Sequence, residues 1–171
     1  EIIAGDWSSD VCSSDLAASR SAKVAIVFDT ESGATIREIA LQHDLRDAAL
    51  SPDGLTIATA EADETTVRVW SVGDGSLVRT IAGHEKTVQC VRFHHDGMRI
   101  LSCGDDGSAR LWSHDGALLR RFDAGEPLRR CALSDDGSVV LATNATSRDA
   151  AAFVFDGATG ALRTRQSLHR A

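Results

Sequence analysis

The chain has 171 residues, 43% of them hydrophobic but only 5% aromatic, with a formal net charge of −7 at pH 7. That length suffices for one sizeable core, while an acidic balance gives no general attraction for nucleic acid or an anionic membrane. No apolar run approaches the roughly 20 residues of a membrane-spanning helix, and no charged stretch followed by an apolar one opens the chain as a secretion signal would.

In chain order, residues 1–16 are without period, and 6–16, Trp7 and Cys12 included, form a polar stretch. Residues 17–19 read as the tail of a strand, another strand ends at Phe28, and Gly33 marks a turn. Alternating segments then recur over 45–50, 55–61, 66–70 and 76–81, split by Ser51-Pro52-Asp53-Gly54 and by Gly75. The next set, 87–93, 98–103, 108–112 and 117–122, is split by His95-Asp96-Gly97, Asp105-Asp106-Gly107 and Asp115-Gly116. A last set covers 128–133, 138–143, 150–155 and 161–166, with turns at Asp135-Asp136-Gly137 and Gly160. Short alternating runs joined by Asp and Gly turns predict small antiparallel sheets of four strands. The loops 62–65 and 144–149 are longer than their counterparts.

Phe28, Trp70, Trp112 and Phe155 each end the third strand of a set, at separations of 42, 42 and 43. A fixed period of about 42 with four strands per repeat, and Gly83-His84 opening the best copy, resembles the WD40 family. The resemblance runs from Ala17 to about Leu168. It departs from the family dipeptide at Trp70-Ser71 and Trp112-Ser113, and at Phe28-Asp29 and Phe155-Asp156 the tryptophan itself is replaced. It implies an all-β fold, a WD40-type β-propeller fragment of about three and a half four-stranded blades, with copies near 17–40, 41–82, 83–123 and 124–168. Because propellers typically close with 4–8 blades, 17–171 is expected to be part of a longer array. Aligning Trp70 with Phe28 leaves 1–16 outside the register, and 6–16 resemble the translation of a common sequencing adapter. This leader is expected to be artefactual and disordered, and is set aside from fold reasoning. Without it the balance is 18 basic to 21 acidic residues, net −3.

The resemblance also implies a buried tetrad in the third copy: Trp112 donating to Ser102, Ser102 reaching His84, and His84 bonding Asp106. The donor and acceptor roles are chemically consistent. A Ser-His-Asp set invites a catalytic reading, but a strand serine facing a buried tryptophan has no substrate access. The His84 position aligns with Leu41 and Ala124, and Phe155 lacks the indole donor, so the other copies are expected to depend on packing.

Cys90, Cys103 and Cys131 lie in strands without paired-cysteine spacing and read as buried thiols of a reducing compartment. His94, His95 and His114 read as solvated turn residues; no metal site and no cofactor are expected. Arg120, Arg121, Arg129 and Arg130 form a local basic cluster, read as edge protection or as an acidic-peptide site. Asn144-Ala145-Thr146 is a glycosylation triplet by pattern alone.

One rim of the array should gather Asp44, Arg46, Glu64, Glu85, Lys86, Asp105, Glu126 and Arg129, a mixed-charge surface suited to peptides or proteins. The expected function is a non-enzymatic scaffold or recognition subunit. The alternative is the C-terminal regulatory propeller of a larger kinase, protease or NTPase. Proteins or peptides are the expected partners, not nucleic acid or membrane. The location is expected to be cytoplasmic or otherwise intracellular, and exposed blade faces are expected to promote self-association.

Overall fold

In a computed structural model of the chain, residues 2–4, 14–19, 23–144 and 150–167 are described, with side chains from 23 onward. Among the described residues, sixteen strands form four antiparallel sheets, each built from four consecutive strands in simple up-and-down order. The first sheet holds β1 (Ile2–Ala4), β2 (Ser14–Ser19), β3 (Val24–Asp29) and β4 (Thr35–Ala40), and the second β5 (Leu45–Leu50), β6 (Thr56–Glu61), β7 (Thr66–Ser71) and β8 (Leu77–Ala82). The third holds β9 (Val88–Phe93), β10 (Arg99–Gly104), β11 (Ser108–Ser113) and β12 (Leu118–Asp123). The fourth holds β13 (Arg130–Leu133), β14 (Val139–Asn144), β15 (Ala151–Asp156) and β16 (Leu162–Ser167).

Every strand from β5 to β16 falls within two residues of its expected bounds, because turn geometry sets both ends. Glycines at Gly54, Gly75, Gly97, Gly107, Gly116, Gly137 and Gly160 all take positive φ, the backbone region these tight connections require. The first sheet differs from expectation. Ser14 pairs with Asp29, Asp15 with Phe28 and Leu16 with Val27, while Ile2–Ala4 pair with Ala17–Ser19. Residues 2–4 and 14–16 are therefore extended where disorder was expected, beside the partial first repeat of an array of about three and a half blades. The free edge of β3 presents unpaired N–H and C=O groups to which extended backbone of any sequence can bond. Trp7 and Cys12 lie outside the described residues.

The first strands touch in series, β5 against β9 and β9 against β13, and each sheet stacks on the next. Because side chains alternate along a strand, each inner sheet feeds two cores. Ala25, Val27 and Ile39 meet Leu45, Ala48 and Ile57 between sheets one and two. Ala58, Val67, Val69 and Ile81 meet Val91, Ile100 and Trp112 between sheets two and three. Cys90, Leu101, Leu111 and Phe122 meet Cys131, Val140, Phe153 and Phe155 between sheets three and four. The opposite face of sheet four is open, with Leu141 41% exposed. Among the described residues no helix is long and apolar enough to cross a membrane.

Candidate functional site

The third sheet carries a continuous polar thread. The Trp112 indole N–H donates to Ser102 Oγ at 2.8 Å, Ser102 lies 2.8 Å from His84 Nε2, and His84 Nδ1 lies 2.9 Å from Asp106 Oδ2. An ionised carboxylate only accepts, so Nδ1 carries the imidazole hydrogen and Nε2 accepts the serine hydroxyl. Asp106 also accepts from the Glu85 N–H at 3.1 Å, from the Ser108 N–H and hydroxyl at 3.0 and 2.8 Å, and from Arg110 at 3.1 Å. Although burial opposes it, these donors hold the Asp106 carboxyl down at about 2. Burial pushes the His84 imidazole below its ordinary value despite the pull of Asp106, with Arg110 adding to the depression.

Gly83 explains the start of the thread. Its φ is +150° and a Cβ there would lie 2.8 Å from the Trp112 ring, so no larger residue can precede His84 with the indole in place. Ser102 is fully buried between Trp112 and His84. A substrate cannot reach its hydroxyl, which leaves the Ser-His-Asp set without a nucleophile to offer.

The other sheets do more than pack. In the second, Trp70 donates to Thr59 Oγ1 at 2.9 Å, and Glu61 takes the place of the histidine-aspartate pair. Its carboxylate accepts the Gln42 and His43 N–H groups at 3.1 and 3.0 Å and Arg68 at 2.7 Å. In the fourth, Asn144 accepts the Ala151 N–H at 2.6 Å and donates to Glu126 at 2.7 Å, and Glu126 holds Arg165 at 2.9 Å. Sequence reading missed Glu61 and Asn144; the polar residue that closes the second strand of the second and fourth sets was the available signal. With its amide buried and bonded on both sides, Asn144 does not offer a glycan acceptor, and residues 145–149 lie outside the described set.

The rim residues share one end of the array. The Ala62 N–H reaches the Asp44 carbonyl, the Val88 N–H the Glu64 carbonyl, and the Asp105 N–H the Thr87 carbonyl. Asp105 also pairs with Arg129 at 3.1 Å, and Glu126 packs on the Gly107 turn. Many of these charges are spent inside the array: Glu64 on His43 and Arg68, Asp105 on Gln89 and Arg129, Glu126 on Asn144 and Arg165. Arg46 sits at a bulge, half-buried. Asp44, Glu85 and Lys86 remain exposed.

Two expectations need correction. His94 is not solvated: it is 4% exposed, its Nε2 lies 3.1 Å from the Asp135 carbonyl and its Nδ1 3.0 Å from Asp96. The first hairpin of sheet three stacks on that of sheet four, and the imidazole fills the seam. His95 and His114 are exposed as expected. The arginine cluster also divides. Arg120 and Arg121 lie on the outermost strand β12, where Arg121 pairs with Asp123, while Arg129 and Arg130 at the innermost strand reach Asp105 and Asp47. Neighbours in sequence, they stand on opposite edges of successive sheets.

This stack of four-stranded antiparallel sheets, tied inside by a tryptophan-serine-histidine-aspartate thread, is the propeller-blade architecture. Residues 36–71 and 75–113 match the family described as WD domain, G-beta repeat. The chain carries WD40 repeats over these two stretches. It is 32% identical over 81 residues to the Periodic tryptophan protein 2 homolog of Neurospora crassa, covering 47% of this chain and 9% of that one. It is 29% identical over 95 residues to WD repeat and SOCS box-containing protein 1 of Danio rerio, covering 54% and 22%. To Nuclear distribution protein nudF 2 of Talaromyces marneffei it is 36% identical over 69 residues, covering 39% and 15%. The matched stretch is therefore less than a quarter of each of these relatives. Among solved structures, Kuenenia stuttgartiensis Hydrazine Synthase superposes with a TM-score of 0.81 over 92% of this chain and 46% of that one, at 16% identity, a likeness of fold alone.

Proposed function

We propose that this chain is a non-enzymatic protein-interaction module, in which rigid sheets hold a mixed-charge rim for a protein or peptide partner. The observation that carries this reading is the fixing of the rim from behind: backbone bonds between successive sheets join Glu64 to Val88 and Gly104 to Leu128. Exposed Asp44, Glu85 and Lys86 thus project from a framework that pays little ordering entropy on binding. Burial of Ser102 argues against hydrolysis, and the diversity of the relatives fits a recognition role with a changing partner.

The test is affinity capture from cell extract with the chain and with the double variant Glu85→Lys, Lys86→Glu, whose net charge is unchanged. Both should melt alike, since neither side chain is buried. A partner lost from the double variant but held by the parent supports the rim. Capture of the same set by both would move recognition elsewhere.

A further inference from the structure

Cys90 on β9, Cys103 on β10 and Cys131 on β13 converge in the core between sheets three and four. Their sulfur atoms all lie within 4.8 Å of one another, and the residues are 0%, 0% and 6% exposed. All three are free thiols. Cys90 and Cys103 are cross-strand partners, and Cys131 arrives from the facing sheet with its carbonyl 4.0 Å from Cys90 Sγ. We propose that this trio is a binding site for one soft monovalent metal ion of the Cu(I) type, held by three sulfurs in a plane.

The geometry is close to what such an ion needs. With metal–sulfur bonds of about 2.3 Å, three sulfurs around a central ion stand about 4 Å apart, so small rotamer shifts close the site. Structural zinc takes four ligands, and among the described residues no fourth cysteine, histidine or carboxylate belongs to the cluster. Soft thiolates without a fourth donor favour Cu(I).

The surroundings suit thiolate chemistry rather than plain packing. Charged groups border the trio, the Arg92 guanidinium among them. Arg92 bonds Asp47 at 2.7 Å, and Arg130 reaches the same carboxylate at 3.5 Å. Asp47 is fully buried and faces Cys90, and Arg130 is the partner of its Oδ1. Binding is a proton exchange: Cu(I) joins three thiols, three protons leave, and the complex carries −2. Arg92 and Arg130, which share Asp47 between them, offset part of that charge.

The experiment uses the full chain with Cys12→Ser, reduced, with thiols counted after denaturation, and titrated without oxygen with Cu(I) as its acetonitrile complex. Expected are one equivalent bound against bicinchoninate, a sulfur-only shell of three in X-ray absorption, and a raised melting temperature. Cys103→Ser should weaken binding beyond the roughly 100-fold that outer-shell changes cost. If that variant is unfolded by circular dichroism, Cys131→Ala serves in its place. The site is overturned by a folded, fully reduced chain that takes up no Cu(I), by equal uptake when all three cysteines are replaced, or by preferential Zn(II) binding with a nitrogen or oxygen ligand.

Discussion

The thread from Trp112 to Asp106 shows how one residue changes the standing of its neighbours. Truncating His84 would strand the buried Ser102 hydroxyl and leave Asp106 without its imidazole partner, and a buried polar group left unpaired costs about 1–3 kcal/mol. His84→Ala should lower the urea midpoint accordingly, and an unchanged midpoint would deny the thread any part in stability. The same histidine gives a pH signature. Its folded pKa lies below the ordinary 6.5, so the unfolded chain takes up the proton first as pH falls. The stability this provides is present above about 6.5 and is lost on acidification below it. His84→Gln should therefore show a shallower fall in midpoint between pH 7.5 and about 5.5; equal slopes would show that other groups control that window. The thread was legible through the family resemblance, in which donor, bridge, imidazole and carboxylate each have a place that this sequence fills. Glu61 and Asn144 were not, because a carboxylate or an amide closes the same space with different chemistry and only the facing backbone says so. His94 escaped for a related cause: a turn residue looks solvated until the next sheet's turn is laid on it.

At the level of strands and turns the pattern was nearly complete in the sequence, since alternation places the strands and glycine ends them. Glycine's second duty, close approach, was not readable. A Cβ on Gly104 would lie 2.5 Å from the Thr87 carbonyl oxygen, and one on Gly157 would lie 2.0 Å from that of Gly137. Both neighbours are backbone and cannot swing aside. Gly104→Ala should thus cost more than Gly→Ala at Gly73, where the nearest atom, 3.6 Å away, is the Ser71 hydroxyl. Thermal melts of the two variants decide it; equal melting temperatures would mean that the turn at 104 relaxes freely. The three cysteines belong to this level too. They stand 13 and 28 residues apart, spacing with no meaning along the chain, and only sheet stacking gathers them.

Across the molecule, protection should follow the stacking. The innermost strands β9 and β10 bury residues on both faces, whereas every residue of β16 is exposed. Hydrogen exchange should be slowest in β9 and β10 and fastest in β16; uniform protection would mean that the four sheets open as one unit. The long-range arrangement was legible as a repeat and no further, because a period reveals that units stack but not which side chains each interface selects.

Those interfaces have become private. A unit born by duplication starts with faces that fit its own copy, yet here the second seam is built from valine, isoleucine and tryptophan and the third from cysteine and phenylalanine. Inserting a second copy of residues 83–123 would set Leu101 and Phe122 against Ile100 and Trp112, two bulky surfaces that never evolved to meet. The ancestry of the array is modular, but its present order is locked: a blade can now be replaced only together with the faces of its neighbours.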